Sequence, residues 1–317
     1  MTIKAALLGG LLLAALAWQQ PVRAQDAPDA AQYSKNGADT CLECHDDEGA
    51  AYSASALFKS KHAHRGDKRS PFGAGGLQCE ACHGPGALHA RNKRAASINS
   101  LKADSSQPVE QRNQVCVGCH QGSARNAWHA SAHERAGLAC TSCHQMHSAR
   151  GDTVLAKASE PDVCLACHKQ QRADFNKSSS HPLRQGRMAC SDCHSSHGST
   201  AQGMLAQPTL NQTCFTCHAD KRGPLLWEHA PVAEDCALCH SAHGSVRQAL
   251  LTNSPPLLCQ QCHSAAGHPS VARTGAGLPG NGTIGGSGAL FLVAGSCTNC
   301  HTQVHGSNHP SGAKLLR

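Results

Sequence analysis

Ten times along the chain, two cysteines stand three positions apart with a histidine directly after the second, as in Cys190-Ser191-Asp192-Cys193-His194. Two thiols at this spacing can each add across one vinyl group of a haem. The next imidazole then lies beneath the ring and can bind iron, which makes the pattern the attachment signature of c-type haem. The thiol pairs are Cys41/Cys44, Cys79/Cys82, Cys116/Cys119, Cys140/Cys143, Cys164/Cys167, Cys190/Cys193, Cys214/Cys217, Cys236/Cys239, Cys259/Cys262 and Cys297/Cys300, and they use all 20 cysteines. The proximal histidines are His45, His83, His120, His144, His168, His194, His218, His240, His263 and His301. A zinc clip or a disulfide also pairs cysteines, but neither asks for histidine at the next position. Histidine is 23 of 317 residues, so ten such neighbours by chance have odds on the order of 10^-11.

Each iron has a second axial position, and the remaining histidines recur in a pattern that can fill it. The motifs fall into five modules beginning at Cys41, Cys116, Cys164, Cys214 and Cys259. These starts bound modules of approximately 41–115, 116–163, 164–213, 214–258 and 259–317, an internal repeat of the kind that stacks. A histidine three places after the second motif recurs as His147, His197 and His243, with longer gaps to His89 in the first module and His305 in the last. Another lies upstream of the second motif, as His62, His133, His181 and His229. An aromatic residue precedes each of these (Phe58, Trp128, Phe175, Trp227) and is expected against a porphyrin face; in the last module the interval holds His268. These ten match ten vacant positions, which predicts bis-histidine iron throughout. His64, His129 and His309 are left over. His64 competes with His62, and His309 with His305, where the His-Gly-Ser context shared with His197 and His243 favours His305. A histidine at +3 cannot easily bend round to its own iron, so it is expected to serve a neighbour. Met146, Met188 and Met204 do not recur by position, which argues against methionine ligation.

The elements that position these residues are predicted to be slight. Aromatics make up 3% of the chain, with 30 Gly and 15 Pro. Large aromatic side chains ordinarily supply much of a core, so the porphyrins must supply it here, and the chain without haem is predicted to be largely unstructured. Short helices are expected to carry the motifs. Pro108, Pro161, Pro208 and Pro255-Pro256 punctuate the approach to first motifs. Gln25 to Thr40 reads as an extended or disordered polar lead-in, Gly84 to Val115 as a long polar linker, and Gly275 to Gly288 as a glycine-rich docking loop. The fold class is thus a multihaem cytochrome c with little regular secondary structure. Short α-helices and loops surround a linear stack of ten haems in five dihaem repeats.

The first 24 residues read as an export signal: Lys4, an apolar run from Ala5 to Ala17, and a cleavage site at Val22-Arg23-Ala24. The apolar run is short for a membrane span. The remainder, 25–317, is one elongated domain. Taking Lys4 and Arg23 from the 28 basic residues leaves 26 against 21 acidic, a net +5. Each ferric haem with two propionates adds about −1, so the oxidised protein comes to about −5 and the reduced one to about −15. A nucleic-acid role therefore has no support in the charge.

The ending Cys297-Thr298-Asn299-Cys300-His301-Thr302-Gln303-Val304-His305-Gly306-Ser307-Asn308-His309-Pro310-Ser311-Gly312, and Cys79-Glu80-Ala81-Cys82-His83-Gly84-Pro85-Gly86 followed by His89, resemble the MtrA/DmsE family of periplasmic decahaem cytochromes. The resemblance covers nearly the whole chain after residue 24. It implies ten covalently attached haems forming an electron conduit inside an outer-membrane β-barrel porin, between periplasm and cell exterior. It implies a periplasmic or inner-membrane cytochrome as donor and an extracellular multihaem cytochrome or reductase as partner. The residues agree: a porin lumen is polar and needs no membrane span in its occupant. A freely soluble periplasmic shuttle would use the same ligands. A reductase would need an open iron position, which the histidine count does not leave, so no enzyme activity is expected.

Overall fold

The computed structural model describes residues 32–45, 54–92, 98–122, 125, 127–148, 153–263 and 296–316. The expected export signal, His268, and the stretches Gly275 to Gly288 and Ala289 to Ala294 lie outside these residues. Among the described residues the longest helix has nine residues, and the β-structure is limited to isolated bridges. The α-helices in chain order are α1 (Ala38–Leu42), α2 (Glu80–His83), α3 (Ala87–Arg91), α4 (Val109–Val117), α5 (Ala132–Arg135), α6 (Glu160–Cys164), α7 (Lys169–Asp174), α8 (Leu210–Phe215), α9 (Ala230–Glu234) and α10 (Pro255–Gln260).

The two motifs of a module sit on different scaffolds. First motifs after module one begin in the last turn of an α-helix, Cys116 in α4, Cys164 in α6, Cys214 in α8 and Cys259 in α10. Proline opens several of these helices, where its missing N–H costs nothing: Pro161 in α6, Pro255 in α10, and Pro108 as the cap of α4. Second motifs after module one sit on single 3-10 turns, at Cys140–Ser142, Cys190–Asp192, Cys236–Leu238 and Cys297–Asn299. Each turn is closed by a loop returning to it. Gln145, Ser195 and Ser241 donate their N–H to the carbonyls of Val154, Met204 and Leu250, and Gln303 donates to Leu315.

Apolar packing is thin. Among the described residues the buried apolar side chains are Ala38, Phe72, Trp128, Ala139, Val154, Phe175 and Leu183, and no large side chain is fully enclosed. Polar residues do much of the joining. Asn113 of α4 donates through Nδ2 to the Leu138 carbonyl and accepts the N–H of Cys140. Asn211 of α8 repeats this with the Val232 carbonyl and Cys236. In each case a buried amide ties the first motif's helix to the second motif's turn.

Two sequence expectations change here. The described part of the lead-in, from residue 32, is packed rather than loose. The buried Glu80 carboxylate accepts from Ser34 N at 3.0 Å, Ser34 Oγ at 2.8 Å and Gly86 N at 2.7 Å, and Gln78 Oε1 accepts from Ala38 N. The stretch read as a polar linker carries α3 and α4. Its polar side chains bind backbone groups: Gln107 Oε1 accepts the Ser100 N–H at 2.8 Å and the Arg112 guanidinium donates to the Lys102 carbonyl at 2.8 Å.

Candidate functional site

A continuous cavity of about 4010 Å3 runs between the elements, lined by residues from Lys59 to Leu316. Ordinary ligand pockets measure about 300–1,000 Å3, so this space suits several large groups. Both thiols and the histidine of every motif from Cys116 onward line it. None of the twenty cysteines forms a disulfide.

The thiols follow a regular order. Within each module the first cysteines of the two motifs interact thiol to thiol: Cys41 with Cys79, Cys116 with Cys140, Cys164 with Cys190, Cys214 with Cys236 and Cys259 with Cys297. Across module boundaries the second cysteines approach: Cys82 feels the charge of Cys119, Cys143 that of Cys167, Cys193 that of Cys217 and Cys239 that of Cys262. In the chain before haem attachment, burial and then Cys41 push the Cys79 thiol up to about 11. Burial and then Cys236 push Cys214 up to about 12. The Cys116 thiol holds Cys140 down to about 7 by hydrogen bonding to its charged form. Glu160, Cys164 and Cys190 come close enough to hold an ion, but both cysteines belong to attachment motifs.

The surroundings of the first motif differ from those of the later ones. Cys44 is exposed, as are Cys119, Cys167, Cys217 and Cys262 at the same place in their motifs. Those four line the cavity, whereas Cys44 does not, nor do Cys41, His45 and Cys79. The reason is position in the chain. Each of the four faces a second thiol of the module before it, and no module precedes Cys44. The two cysteines and the histidine stand at the same spacing at all ten places, so the pattern at Cys44 does not mark the difference.

The histidines meet in pairs. Nine proximal rings face a second ring with centroids 5.7–6.5 Å apart. Metal–imidazole bonds of about 2.0–2.1 Å place two rings on opposite sides of one ion with centres about 6 Å apart, so the spacing fits a metal between them. The first-motif rings face the upstream histidine of the preceding module: His120 faces His62, His168 faces His133, His218 faces His181 and His263 faces His229. The second-motif rings face the downstream histidine of the following module: His83 faces His147, His144 faces His197, His194 faces His243 and His240 faces His305. His45 has no module before it and faces His89 of its own module. His62 rather than His64, and His305 rather than His309, hold these positions.

The backbone orients the rings. His83, His144, His194, His240 and His301 place Nδ1 2.7–2.9 Å from the carbonyls of Asn99, Thr153, Gly203, Ala249 and Lys314. A carbonyl can only accept, so Nδ1 carries the proton and the Nε2 lone pair is free for a metal. Burial lowers the pKa of His62, His147, His197, His243 and His305 below the ordinary value, and the neutral ring is the form that binds a metal. The carbonyl-bearing loops were missed in the sequence. Their signal is a repeated apolar residue before leucine, as Val154-Leu155, Met204-Leu205, Leu250-Leu251 and Leu315-Leu316. Of the four aromatics, Trp128 and Phe175 line the cavity. Phe58 instead packs edge-on against Phe72, and the Trp227 indole N–H donates to the His309 carbonyl at 2.9 Å.

Residues 181–223 and 229–268 match a family described as a doubled CXXCH motif, and residues 79–160 a family described as cytochrome c-type protein, NrfB-like. The chain is 49% identical over 285 residues, 90% of its length and 83% of the relative's, to the multihaem cytochrome MtrA of Shewanella baltica (strain OS185). The chain belongs to the MtrA family of multihaem cytochromes. Haem c bound covalently through CXXCH motifs, and electron transfer, come with that membership, and the cavity, thiols and paired rings fit the cofactor. Within the MtrA family fold, the scaffold's work is to hold thiols and imidazoles in place with carbonyls and buried amides.

Proposed function

We propose that the chain is a decahaem electron conduit across the outer membrane, seated inside a β-barrel porin, without substrate chemistry of its own. Ten haems bind at the ten motifs. The ring pairs described above would hold nine of the irons, and His268, which lies outside the described residues, would by elimination join His301 in holding the tenth. Bound haem supplies an iron that takes up and releases one electron with no bond made or broken. The chain's residues fix the geometry: neutral rings present Nε2, carbonyls hold Nδ1, and the thiols anchor successive groups. The observation that carries the reading is the alternating approach of cysteines. First thiols meet within modules and second thiols between them, so neighbouring groups follow the order of the sequence from Cys41 to Cys297. Such an order suits transfer from one end to the other. The group anchored at Cys41 and Cys44 stands at the exposed end of that order, where a donor can reach it. A periplasmic or inner-membrane cytochrome supplies electrons there, to a protein located in the periplasm and held at the outer membrane. An extracellular multihaem cytochrome or reductase takes them.

The test is reconstitution with the candidate porin in liposomes enclosing a redox dye. External dithionite is expected to reduce the dye only when both proteins are present. Binding to the barrel with full haem loading but no dye reduction would leave the soluble shuttle as the better reading.

A further inference from the structure

At three module boundaries one short segment touches both distal histidines of the boundary. Ala242-His243-Gly244 shows the arrangement. His243 faces His194 of the preceding module at 6.0 Å. The carbonyl just before it, that of Ala242, accepts the Nδ1–H of His181 at 2.9 Å, and His181 in turn faces His218. Gly244, just after it, has φ +147, and a methyl group there would overlap the Asp174 carbonyl. Ser245 then pairs with Ser179 through reciprocal N–H to carbonyl bonds of 2.8 and 2.9 Å.

The arrangement recurs on both sides. His133 Nδ1 donates to the Ser196 carbonyl before His197, and a methyl at Gly198, φ +112, would overlap the Ala127 carbonyl. His229 Nδ1 donates to the Val304 carbonyl before His305, and a methyl at Gly306, φ +118, would overlap the Leu225 side-chain tip and lie 3.0 Å from the Trp227 carbonyl. The first boundary differs, because Ser148 follows His147.

We infer that Gly198, Gly244 and Gly306 are positioning residues of an inter-module latch, in which one close backbone approach sets the distal ligands of two neighbouring irons together. The inference rests on the bis-histidine reading proposed above. The physical reason is that the glycine's contact fixes the whole segment. Lifting it moves the imidazole that follows the carbonyl and the carbonyl that holds the other imidazole. At Gly198 and Gly244 a side chain is excluded twice, by the positive φ and by the backbone carbonyl against it; at Gly306 the positive φ opposes it and the tip of Leu225 would have to shift.

The experiment compares three holoprotein variants by electron paramagnetic resonance and carbon monoxide binding, with haem content checked by mass. Gly244→Ala is expected to keep ten haems but to show two high-spin, carbon monoxide-binding irons, those attached at His194 and His218. His243→Ala is expected to show one. Gly186→Ala, where φ is +66 but nothing lies within 4 Å, is expected to show none and controls for backbone strain alone. A wild-type spectrum in Gly244→Ala, or a single altered iron, would overturn the latch while a positive His243→Ala left the ligation standing. A wild-type spectrum in His243→Ala would overturn both. Gly198→Ala is the second variant, with the irons at His144 and His168 expected to change. Failure of both glycine variants to accumulate haem-loaded protein, while Gly186→Ala accumulates, also overturns the inference. An orienting contact cannot abolish thioether formation.

Discussion

At the scale of residues, what distinguishes a ligand from a bystander is which ring nitrogen the surroundings leave free. His62 and His64 are two positions apart, yet the His62 and His120 Nε2 atoms lie 3.5 Å apart, while the His62 ring, not that of His64, faces His120. His309 likewise uses Nδ1 to accept from Ser311 N and sits 2.8 Å from Ser311 Oγ, whereas His305 faces His240 across 6.1 Å. Which histidines come to face another ring was legible in the sequence because position recurs. The partner of each was not, because eight of the distal rings cross a module boundary and no spacing within one module encodes that. The prediction at this scale is a pair of substitutions. His62→Ala should leave one iron of ten five-coordinate, visible as a high-spin signal that binds carbon monoxide. It should also raise that iron's potential by about 0.2 V, a fraction of the roughly 0.8 V that axial ligands command. His64→Ala should alter neither. A high-spin signal in the His64 variant alone would exchange the two assignments.

At the scale of elements, the sequence foretold short helices at the motifs but not what joins them. Prolines ahead of the first motifs were readable as helix starts because their effect is local. The buried amides Asn113 and Asn211 were not, since an asparagine three residues before a cysteine looks like any polar helix residue until its partners on the second motif's turn are known. The lead-in was misjudged for the same reason, its anchor being a carboxylate 46 residues away. Asn211→Ala removes an acceptor for the Cys236 N–H and a donor to the Val232 and Ala233 carbonyls. Leaving buried partners unsatisfied costs about 1–3 kcal/mol, so the holoprotein's denaturation midpoint should fall correspondingly. The low-spin spectrum should stay unchanged, because the bonds of Asn211 run to backbone groups and not to an imidazole. An altered spectrum with unchanged stability would mean that the amide acts on ligation instead.

At the scale of the whole molecule, the question is what replaces a hydrophobic core. The scarcity of aromatics pointed to the cofactor: among the described residues seven apolar residues are buried, and a cavity of about 4010 Å3 is lined by the attachment motifs from Cys116 onward. Ordering each residue's backbone costs about 1–2 kcal/mol, which so few buried side chains cannot offset over a chain of this length. Haem contact must make up the difference, as metal binding does in small domains that are unfolded without their ion. Chain made without haem attachment should therefore lack a cooperative thermal transition and show the far-ultraviolet circular dichroism of a disordered polypeptide. The haem-loaded form should melt cooperatively. Blocking the free thiols with iodoacetamide keeps disulfides from confusing the comparison. A sharp unfolding transition in that haem-free, blocked chain would show that the carbonyl loops and buried amides suffice to fold it. The cofactor would then occupy a preformed cavity instead of building one.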